Sequence, residues 1–141
     1  MCDLRIADET ACFALPAARL GLSYPSYAVR RLVEATGPAV AREMLYTARR
    51  YTADEALRAG LVTSTGGEPA LRESAAAIAA NAPLSVRAAK LAIERAAAPA
   101  DVTHDGGTEL AELEDACWAS QDFREGQAAF RERRAPEFRG V

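Results

Sequence analysis

The order of the predicted elements constrains the fold most, because short strands come first and helices occupy nearly all of the remaining chain. Residues 3–7 form a short segment in which polar and apolar side chains alternate, and residues 11–15 form a short apolar segment; both patterns are typical of strands. Residues 61–63, Leu-Val-Thr, predict one further brief strand. A sheet of two or three strands is marginal by itself, and its edges remain open to pairing. The order therefore indicates the back part of a larger α/β domain.

The helices between these strands have recognisable start and stop signals. A helical pattern runs from 26 to 35, and Gly37-Pro38 separates it from a second one that ends near residue 48. The run from Thr52 to Glu55 has capping-box spacing, which predicts the start of a short helix. Gly60 is predicted to end that helix in a left-handed conformation.

The chain after residue 65 is predicted to be almost entirely helical. Helices are expected over 69–80, from Pro83 onward, around 110–117 and over 121–134, with a linker over 99–107. Leu71, Ala75 and Ile78 are expected to form one apolar stripe on the first of these helices. The last helix is expected to bury Phe123 and Phe130.

Composition and charge exclude several classes of protein. The net charge of -3 argues against a general nucleic-acid binder. The sequence contains no run of 18 or more apolar residues, which a membrane-spanning helix would need. The N-terminal residues lack the basic-then-apolar pattern of a secretion signal. Cys2, Cys12 and Cys117 are widely spaced, which indicates free thiols in a reducing compartment. We therefore expect a cytoplasmic protein.

Neither a histidine-based catalytic site nor a metal centre is expected. His104, the single histidine, lies in a polar loop, which disfavours a positioned catalytic base. Asp3, Asp8 and Glu9 lie near strand ends without an accompanying His or Cys cluster. The sequence therefore predicts no metal ligands.

Several short motifs, each weak by itself, follow one another along nearly the whole chain. They are Cys2-Asp3-Leu4-Arg5-Ile6-Ala7, Phe13-Ala14-Leu15-Pro16 with Ala18-Arg19-Leu20-Gly21-Leu22, Arg31-Leu32 with Gly37, Thr52-Ala53-Asp54-Glu55-Ala56 with Ala59-Gly60-Leu61-Val62, Asn81-Ala82-Pro83, and Phe123-Arg124-Glu125-Gly126 with Ala129-Phe130 and Arg133-Arg134. In this order and at these spacings, the chain resembles the C-terminal half of the enoyl-CoA hydratase/isomerase (crotonase) superfamily.

The resemblance implies a crotonase-like α/β fold with two parts. Residues 1–65 would complete the spiral ββα core, and residues 66–141 would form a helical oligomerisation region. The implied assembly is a homo-oligomer, either a trimer or a dimer of trimers. The implied substrate is an acyl-CoA thioester from fatty-acid or related acyl-CoA metabolism, with coenzyme A as part of the substrate and no tightly bound cofactor. No nucleic acid or membrane partner is implied.

The resemblance also implies where catalytic groups belong. The family stabilises an enolate oxygen with two backbone N–H groups, and its hydratases use two glutamates for proton transfer. The N–H groups and the first glutamate are expected upstream of Met1, while the second glutamate corresponds to Ala17. We therefore expect this chain alone to be an inactive member of a hydratase/isomerase (lyase) family. A truncated product, a misplaced start and a split gene all fit this expectation.

Four side chains are the candidate site residues. Tyr24 and Tyr27 lie in the loop that borders the family's acyl pocket. They either hydrogen-bond to the substrate or form the wall of an apolar pocket, since a phenol is a poor base at neutral pH. Phe130 and Arg133 match the family's Phe-x-x-Lys pattern, which holds the adenosine diphosphate part of coenzyme A. The alternative is core packing for Phe130 and a solvated helix face for Arg133.

Three functional hypotheses remain at this point. The first is an acyl-CoA enzyme of the hydratase/isomerase type, or a fragment of one. The second is a non-catalytic remnant or an oligomerisation subunit of a crotonase-like assembly. The third, a free-standing helical binding module, fits the ordered motifs poorly.

Overall fold

The computed structural model describes residues 2–98 and 108–141, so His104 and the linker expected over 99–107 lie outside the described residues. The chain divides into two compact units, Met1–Glu73 and Ser74–Val141. The elements in chain order are β1 (Ile6–Ala7), β2 (Cys12–Phe13), a 3₁₀ helix (Pro16–Leu20), α1 (Ser26–Thr47), β3 (Tyr51–Thr52), α2 (Ala53–Arg58), β4 (Ser64–Thr65), α3 (Gly67–Ala79), α4 (Pro83–Ala97), α5 (Thr108–Ala119) and α6 (Gln121–Glu132).

Each front strand pairs with a later strand rather than with the other front strand. β1 runs parallel to β4, with Ile6 opposite Ser64, and β2 runs antiparallel to β3, with Phe13 opposite Tyr51. Strands are thus confirmed within 3–7 and 11–15, although each contributes two residues. These long-range pairs depend on chain folding, which explains why local patterns cannot predict the partners.

The brief strand expected over 61–63 is wrong, because the strand lies at Ser64–Thr65 instead. The N–H groups of Leu61 and Val62 donate to the carbonyl oxygen of Ala56, at 2.9 and 3.3 Å. The two apolar residues therefore close the end of α2, and the sheet begins only after this turn.

Capping chemistry sets the ends of α2 as predicted. The Thr52 side chain accepts a hydrogen bond from the Glu55 N–H, and the Glu55 carboxylate accepts one from the Thr52 N–H at 2.9 Å. Gly60 has a φ of +74°, and a Cβ there would lie 2.7 Å from the carbonyl oxygen of Ala35. Glycine is therefore required at this turn both for its backbone conformation and for the close approach.

The break predicted at Gly37-Pro38 is confirmed within α1. Gly37 has φ 76° and ψ 164°, which interrupts the helical geometry before Pro38. Met44, in the second segment, is 1% exposed. The two segments are therefore helical on either side of a kink, in agreement with the sequence pattern.

The first unit buries mainly small side chains. Its core cluster contains Ala7, Ala53, Ala56 and Val62, and Phe13 packs against it among the partly buried residues. Ala56 has no exposed surface at all. Alanines are small enough for the short α2 helix to approach the strands of both two-stranded sheets closely.

The second unit buries few residues on its helices. Within 74–98 and 108–141, the buried apolar side chains are Leu113 and Ala129. Phe130 is 86% exposed and Phe123 is 37% exposed, so the expected burial of these two rings is wrong. Successive residues of a helix point about 100° apart, and the buried residues of α6 are Asp122 and Ala129 instead.

The stripe expected at Leu71, Ala75 and Ile78 lies on α3, but it is not buried. Leu71 is 55% exposed and Ile78 is 44% exposed, and α3 contains no buried residue. Helical periodicity identifies an apolar face, but the face becomes a core only where another element covers it. Within the described residues, no helix is long and apolar enough to cross a membrane.

Candidate functional site

An apolar pocket of about 350 Å³ lies within the first unit and includes both candidate tyrosines. Tyr24 is half-buried and Tyr27 is 67% exposed. The lining residues are Arg5, Leu15, Tyr24, Tyr27, Ala28, Val29, Arg31, Leu32, Ala35, Leu45 and Leu61. The structure therefore brings the two tyrosines to one concave surface whose other walls are largely hydrocarbon.

Local backbone signals place the two tyrosines at this pocket. Pro16 starts the 3₁₀ helix, and Gly21 ends it with a left-handed φ of 66°. The chain then turns through Tyr24 and Pro25, and α1 begins at Ser26, so that Tyr27 stands in the first helical turn. Pro25 is extended, with φ −59° and ψ 145°, and it precedes the first residue of α1 directly.

Arg5 lines the same pocket and is bound to backbone carbonyls of the turn after α2. Its Nε donates to the Leu61 carbonyl oxygen at 2.6 Å, and its Nη2 donates to the Gly60 carbonyl oxygen at 3.3 Å. A sequence reading gives no signal for this role, because the two partners lie 55 and 56 residues away. Arg5 thus joins β1 to the turn that completes the pocket wall.

Ala17, the residue that the resemblance matches to the family's second glutamate, lies in the 3₁₀ helix outside the pocket lining. Its carbonyl oxygen accepts hydrogen bonds from the N–H groups of Gly21 and Leu22. The backbone of Ala17 therefore shapes the turn before Tyr24. Its methyl side chain has no titratable proton.

The two residues proposed for nucleotide binding lie at the end of α6. The ring of Phe130 is 86% exposed, while Arg133 is an exposed residue that ends the helix in a left-handed conformation, with a φ of 55°. An i, i+3 relation on one helix face assumes that both residues are helical. The helix ends at Glu132 and Arg133 is its C-cap residue, so this condition does not hold for Arg133.

Phe130 also lines a second apolar pocket of about 480 Å³, which lies within the second unit. Trp118 and Phe123 contribute to it and contact each other edge to face, with ring centroids 5.0 Å apart. Arg133 is absent from its lining residues. The structure therefore places Phe130 among aromatic residues and leaves Arg133 beyond them.

The segment after α6 folds back along that helix through polar contacts that the sequence did not reveal. Arg134 binds both carboxylate oxygens of Glu125, with one Nη2 to Oε2 distance of 2.9 Å, and the Glu137 N–H donates to Glu125 at 2.9 Å. These donors lower the pKa of Glu125 to about 2, and Arg134 is the largest cause. The buried Asp122 carboxylate accepts the N–H groups of the two residues at 139 and 140, at 2.7 and 2.8 Å. The arginine-rich tail is thus partly committed to internal contacts.

An arginine cluster in the first unit is likewise structural. Arg49 binds Glu43 at 2.7 Å and Glu55 at 2.9 Å, and its guanidinium carbon lies 3.7 Å from the centre of the Tyr51 ring. Hydrogen bonding to Arg49 is the main cause that lowers the pKa of Glu43, and the Thr52 N–H is the main cause for Glu55. Burial raises the pKa of Tyr51. The cluster ties the end of α1 to the start of α2.

No group of three or more His, Cys, Asp or Glu side chains within 2–98 and 108–141 is placed to hold a metal ion. The three cysteines are unpaired, with Cys2 and Cys12 exposed.

Comparison with solved structures defines the class of fold. The crystal structure of an enoyl-CoA hydratase from Bacillus anthracis matches 99% of this chain and 55% of its own, with a TM-score of 0.79 and 33% identity. The described fold is therefore the crotonase-like α/β fold that the sequence predicts.

Sequence comparison identifies the family. The family model described as enoyl-CoA hydratase/isomerase matches residues 1–141, and this chain belongs to that family. It is 35% identical over 145 residues to the Mycobacterium leprae protein named "Probable enoyl-CoA hydratase echA6", with 99% of this chain and 55% of the relative covered. It is 38% identical over 147 residues to a carnitinyl-CoA dehydratase from Proteus mirabilis, with 98% and 55% covered. The chain spans about half the length of these curated relatives.

Proposed function

We propose that this chain binds an acyl-CoA thioester and that the pocket around Tyr24 and Tyr27 receives the acyl group. The observation that carries the proposal is that both tyrosines line one apolar pocket of about 350 Å³ in a chain of the enoyl-CoA hydratase/isomerase family. Ligand sites are typically concave, largely apolar and about 300–1,000 Å³ in volume. The tyrosines act as walls that orient the acyl group, with their hydroxyls available for hydrogen bonds.

The nucleotide end of coenzyme A is assigned to Phe130 and Arg133, with coenzyme A bound as part of the substrate. The exposed ring of Phe130 offers an aromatic face for adenine. Arg133 makes an exposed cation available for phosphate, which arginine binds through paired N–H groups. The left-handed backbone at Arg133 directs this residue away from the helical pattern, so the two groups would contact different parts of the nucleotide.

The reaction on the bound thioester is proposed to differ from two-glutamate hydration. Ala17 cannot transfer a proton, and among the described residues no Asp or Glu lines the pocket around Tyr24 and Tyr27. Such a pocket supports binding and orientation of the acyl group rather than activation of water. The same observation favours a second candidate function, a non-catalytic or oligomerisation subunit of a crotonase-like assembly.

The helical region over 66–141 is proposed to mediate homo-oligomerisation as a trimer or a dimer of trimers. Exposed apolar residues such as Leu71, Ile78 and Ile93 support an interaction surface there. Three unpaired cysteines support a cytoplasmic location.

Calorimetric titration of the full chain with coenzyme A and with butyryl-CoA tests the binding proposal. Butyryl-CoA should bind more tightly, since each buried methylene contributes about 0.8 kcal/mol. Tyr27→Ala should reduce this advantage and leave coenzyme A binding unchanged. Arg133→Ala should weaken both ligands several-fold, because a hydrogen bond to a charged group contributes about 1.5–3 kcal/mol.

Arg72→Ala is the matched control, because Arg72 is an exposed arginine paired with Glu68 on α3. It should leave both affinities unchanged. Equal affinity for coenzyme A and butyryl-CoA would contradict the acyl pocket, and equal losses for Arg72→Ala and Arg133→Ala would contradict the nucleotide assignment.

A hydration assay with crotonyl-CoA, which follows its enoyl absorbance, distinguishes both candidate functions from that of an ordinary hydratase. We expect no detectable hydration by the full chain. Turnover on the order of 10 per second, as in a typical enzyme, would contradict the proposal that the chain lacks a proton-transfer group at Ala17.

A further inference from the structure

The charged side chains that line the pocket of Tyr24 and Tyr27 are both arginines. Arg5 and Arg31 line the pocket, and no Asp or Glu of the described chain does. The Arg5 guanidinium donates to the carbonyl oxygens of Leu61, Gly60 and Cys2, which engage each of its three nitrogens but do not cancel its charge. The pocket is therefore an apolar space beside an arginine whose charge no carboxylate in its wall offsets.

Arg31 is only partly available to a ligand. Its Nη1 binds the Glu34 carboxylate at 3.0 Å, and 61% of its side chain is exposed. Glu34 sits outside the pocket lining and is drawn toward Arg31 on the helix surface. An anionic ligand would have to compete with Glu34 for Arg31 and with two carbonyls for Arg5. The available donors therefore do not form a ready anion site.

From this arrangement we propose that the pocket selects an uncharged hydrocarbon acyl group and rejects an acyl group of the same shape that ends in a quaternary ammonium. The inference rests on the proposed acyl-binding function and adds its substrate class. A cationic tail would lose water on entering the pocket and would find no carboxylate there. It would also be repelled by Arg5, and such repulsion is stronger in an apolar pocket than in water. A hydrocarbon tail meets neither cost.

Two acyl-CoA thioesters of matched shape separate the effect of the charge on binding from the effect of size. The 5,5-dimethylhexanoyl thioester and the 4-(trimethylammonio)butyryl thioester differ by one quaternary carbon or nitrogen at the same position. Titrated calorimetrically into the full chain, the neutral thioester should bind at least tenfold more tightly. Glutaryl-CoA, which ends in a carboxylate, should also bind at least several-fold more weakly than the neutral thioester.

Two neighbouring arginines provide a variant and its control. Arg31→Leu should raise the affinity for the cationic thioester, because Glu34 then loses its arginine partner and can attract the cation. The ratio of the affinities for the neutral and the cationic thioester should therefore become smaller. Arg30→Leu removes the same charge from an exposed residue that does not line the pocket, and the ratio should stay unchanged.

The outcomes separate the selectivity from the function on which it rests. Equal or tighter binding of the cationic or the anionic thioester would overturn the selectivity while the acyl pocket stands. If the ratio of neutral to cationic affinity changes equally in Arg31→Leu and Arg30→Leu, the selectivity does not come from the charges at the pocket. If no thioester binds more tightly than coenzyme A itself, the proposed acyl-binding function fails, and the selectivity fails with it.

Discussion

In the first unit, alanines and Val62 form a buried cluster with residues of the short strands, and Met44 is buried on α1, whereas the second unit combines a few buried side chains with polar contacts to its own C-terminal segment. Ala56 and Met44 are at most 1% exposed. In the second unit, Asp122 is itself buried and binds backbone N–H groups of the tail. Both units also contain an arginine bound to glutamates, Arg49 in one and Arg134 in the other. The comparison shows that arginine–glutamate pairs occur in both units, whereas a cluster of buried apolar side chains belongs to the first and a buried carboxylate that holds the tail belongs to the second.

The largest expected difference between the units comes from truncating a large side chain on a helix of each. Met44→Ala should lower the free energy of unfolding by about 2–5 kcal/mol, since it leaves a cavity in a packed interior. Phe130→Ala removes an 86% exposed ring and should change stability by about 0.5 kcal/mol or less. Urea denaturation followed by far-ultraviolet circular dichroism measures both. Comparable losses in the two variants would break the contrast.

Alanine in place of one glycine from each unit should produce effects of opposite sign. Gly60→Ala puts a Cβ 2.7 Å from a backbone oxygen at a φ of +74°. The left-handed conformation alone costs about 1–2 kcal/mol, so this variant should be less stable. Gly126→Ala puts a Cβ 3.6 Å from the Phe138 ring, an ordinary contact, inside α6. It should gain up to about 1 kcal/mol from helix propensity.

The same urea experiment distinguishes these variants by the direction in which the midpoint moves. Fluorescence of Trp118, the single tryptophan, reports on the second unit and should follow the Gly126→Ala change. A stabilised Gly60→Ala or a destabilised Gly126→Ala would show that the local geometry of that unit is wrong.

The smallest expected effect is a loosening of the tail in acid. The pKa of Glu125 is about 2 in the folded chain, below its ordinary value of 4.5. Its stabilising contribution is therefore complete above pH 4.5 and is lost as pH falls from 4.5 toward 2. Hydrogen exchange of the Glu137 amide, which donates to Glu125, should lose protection over this range. Other amides of the second unit that do not contact the tail should change less.

Glu125→Gln is the variant that tests this cause, because it removes the titrating carboxylate and keeps a similar shape. Its Glu137 amide should exchange faster at neutral pH and respond much less to acid. An unchanged pH response in Glu125→Gln would assign the loosening to another group.

Local signals in the sequence were enough for several parts of the fold. The Thr52–Glu55 capping box, the left-handed Gly60, the break at Gly37 and the helix start at Pro83 all appear as predicted. Each of these depends on the conformational preference of one residue or on hydrogen bonds within one turn. Family motifs similarly predicted the crotonase-like fold that the structural comparison shows.

For the candidate site, the sequence placed Tyr24 and Tyr27 in one loop, and the structure places both at one pocket. It could not show that Arg5 completes the wall, because that contact joins β1 to the turn after α2. It also could not show that Arg133 lies past the last turn of α6, since helix ends depend on how the following tail is held.

The sequence by itself determined where most helices lie, the caps of α2 and the family, because these properties depend on neighbouring residues and on the order of short motifs. Only the tertiary structure decided which strands pair, why Ala129 rather than Phe130 is buried, and which arginines border the pocket. These properties depend on contacts between residues far apart in the chain. Periodicity specifies an apolar face of a helix, but burial requires a second element to cover that face.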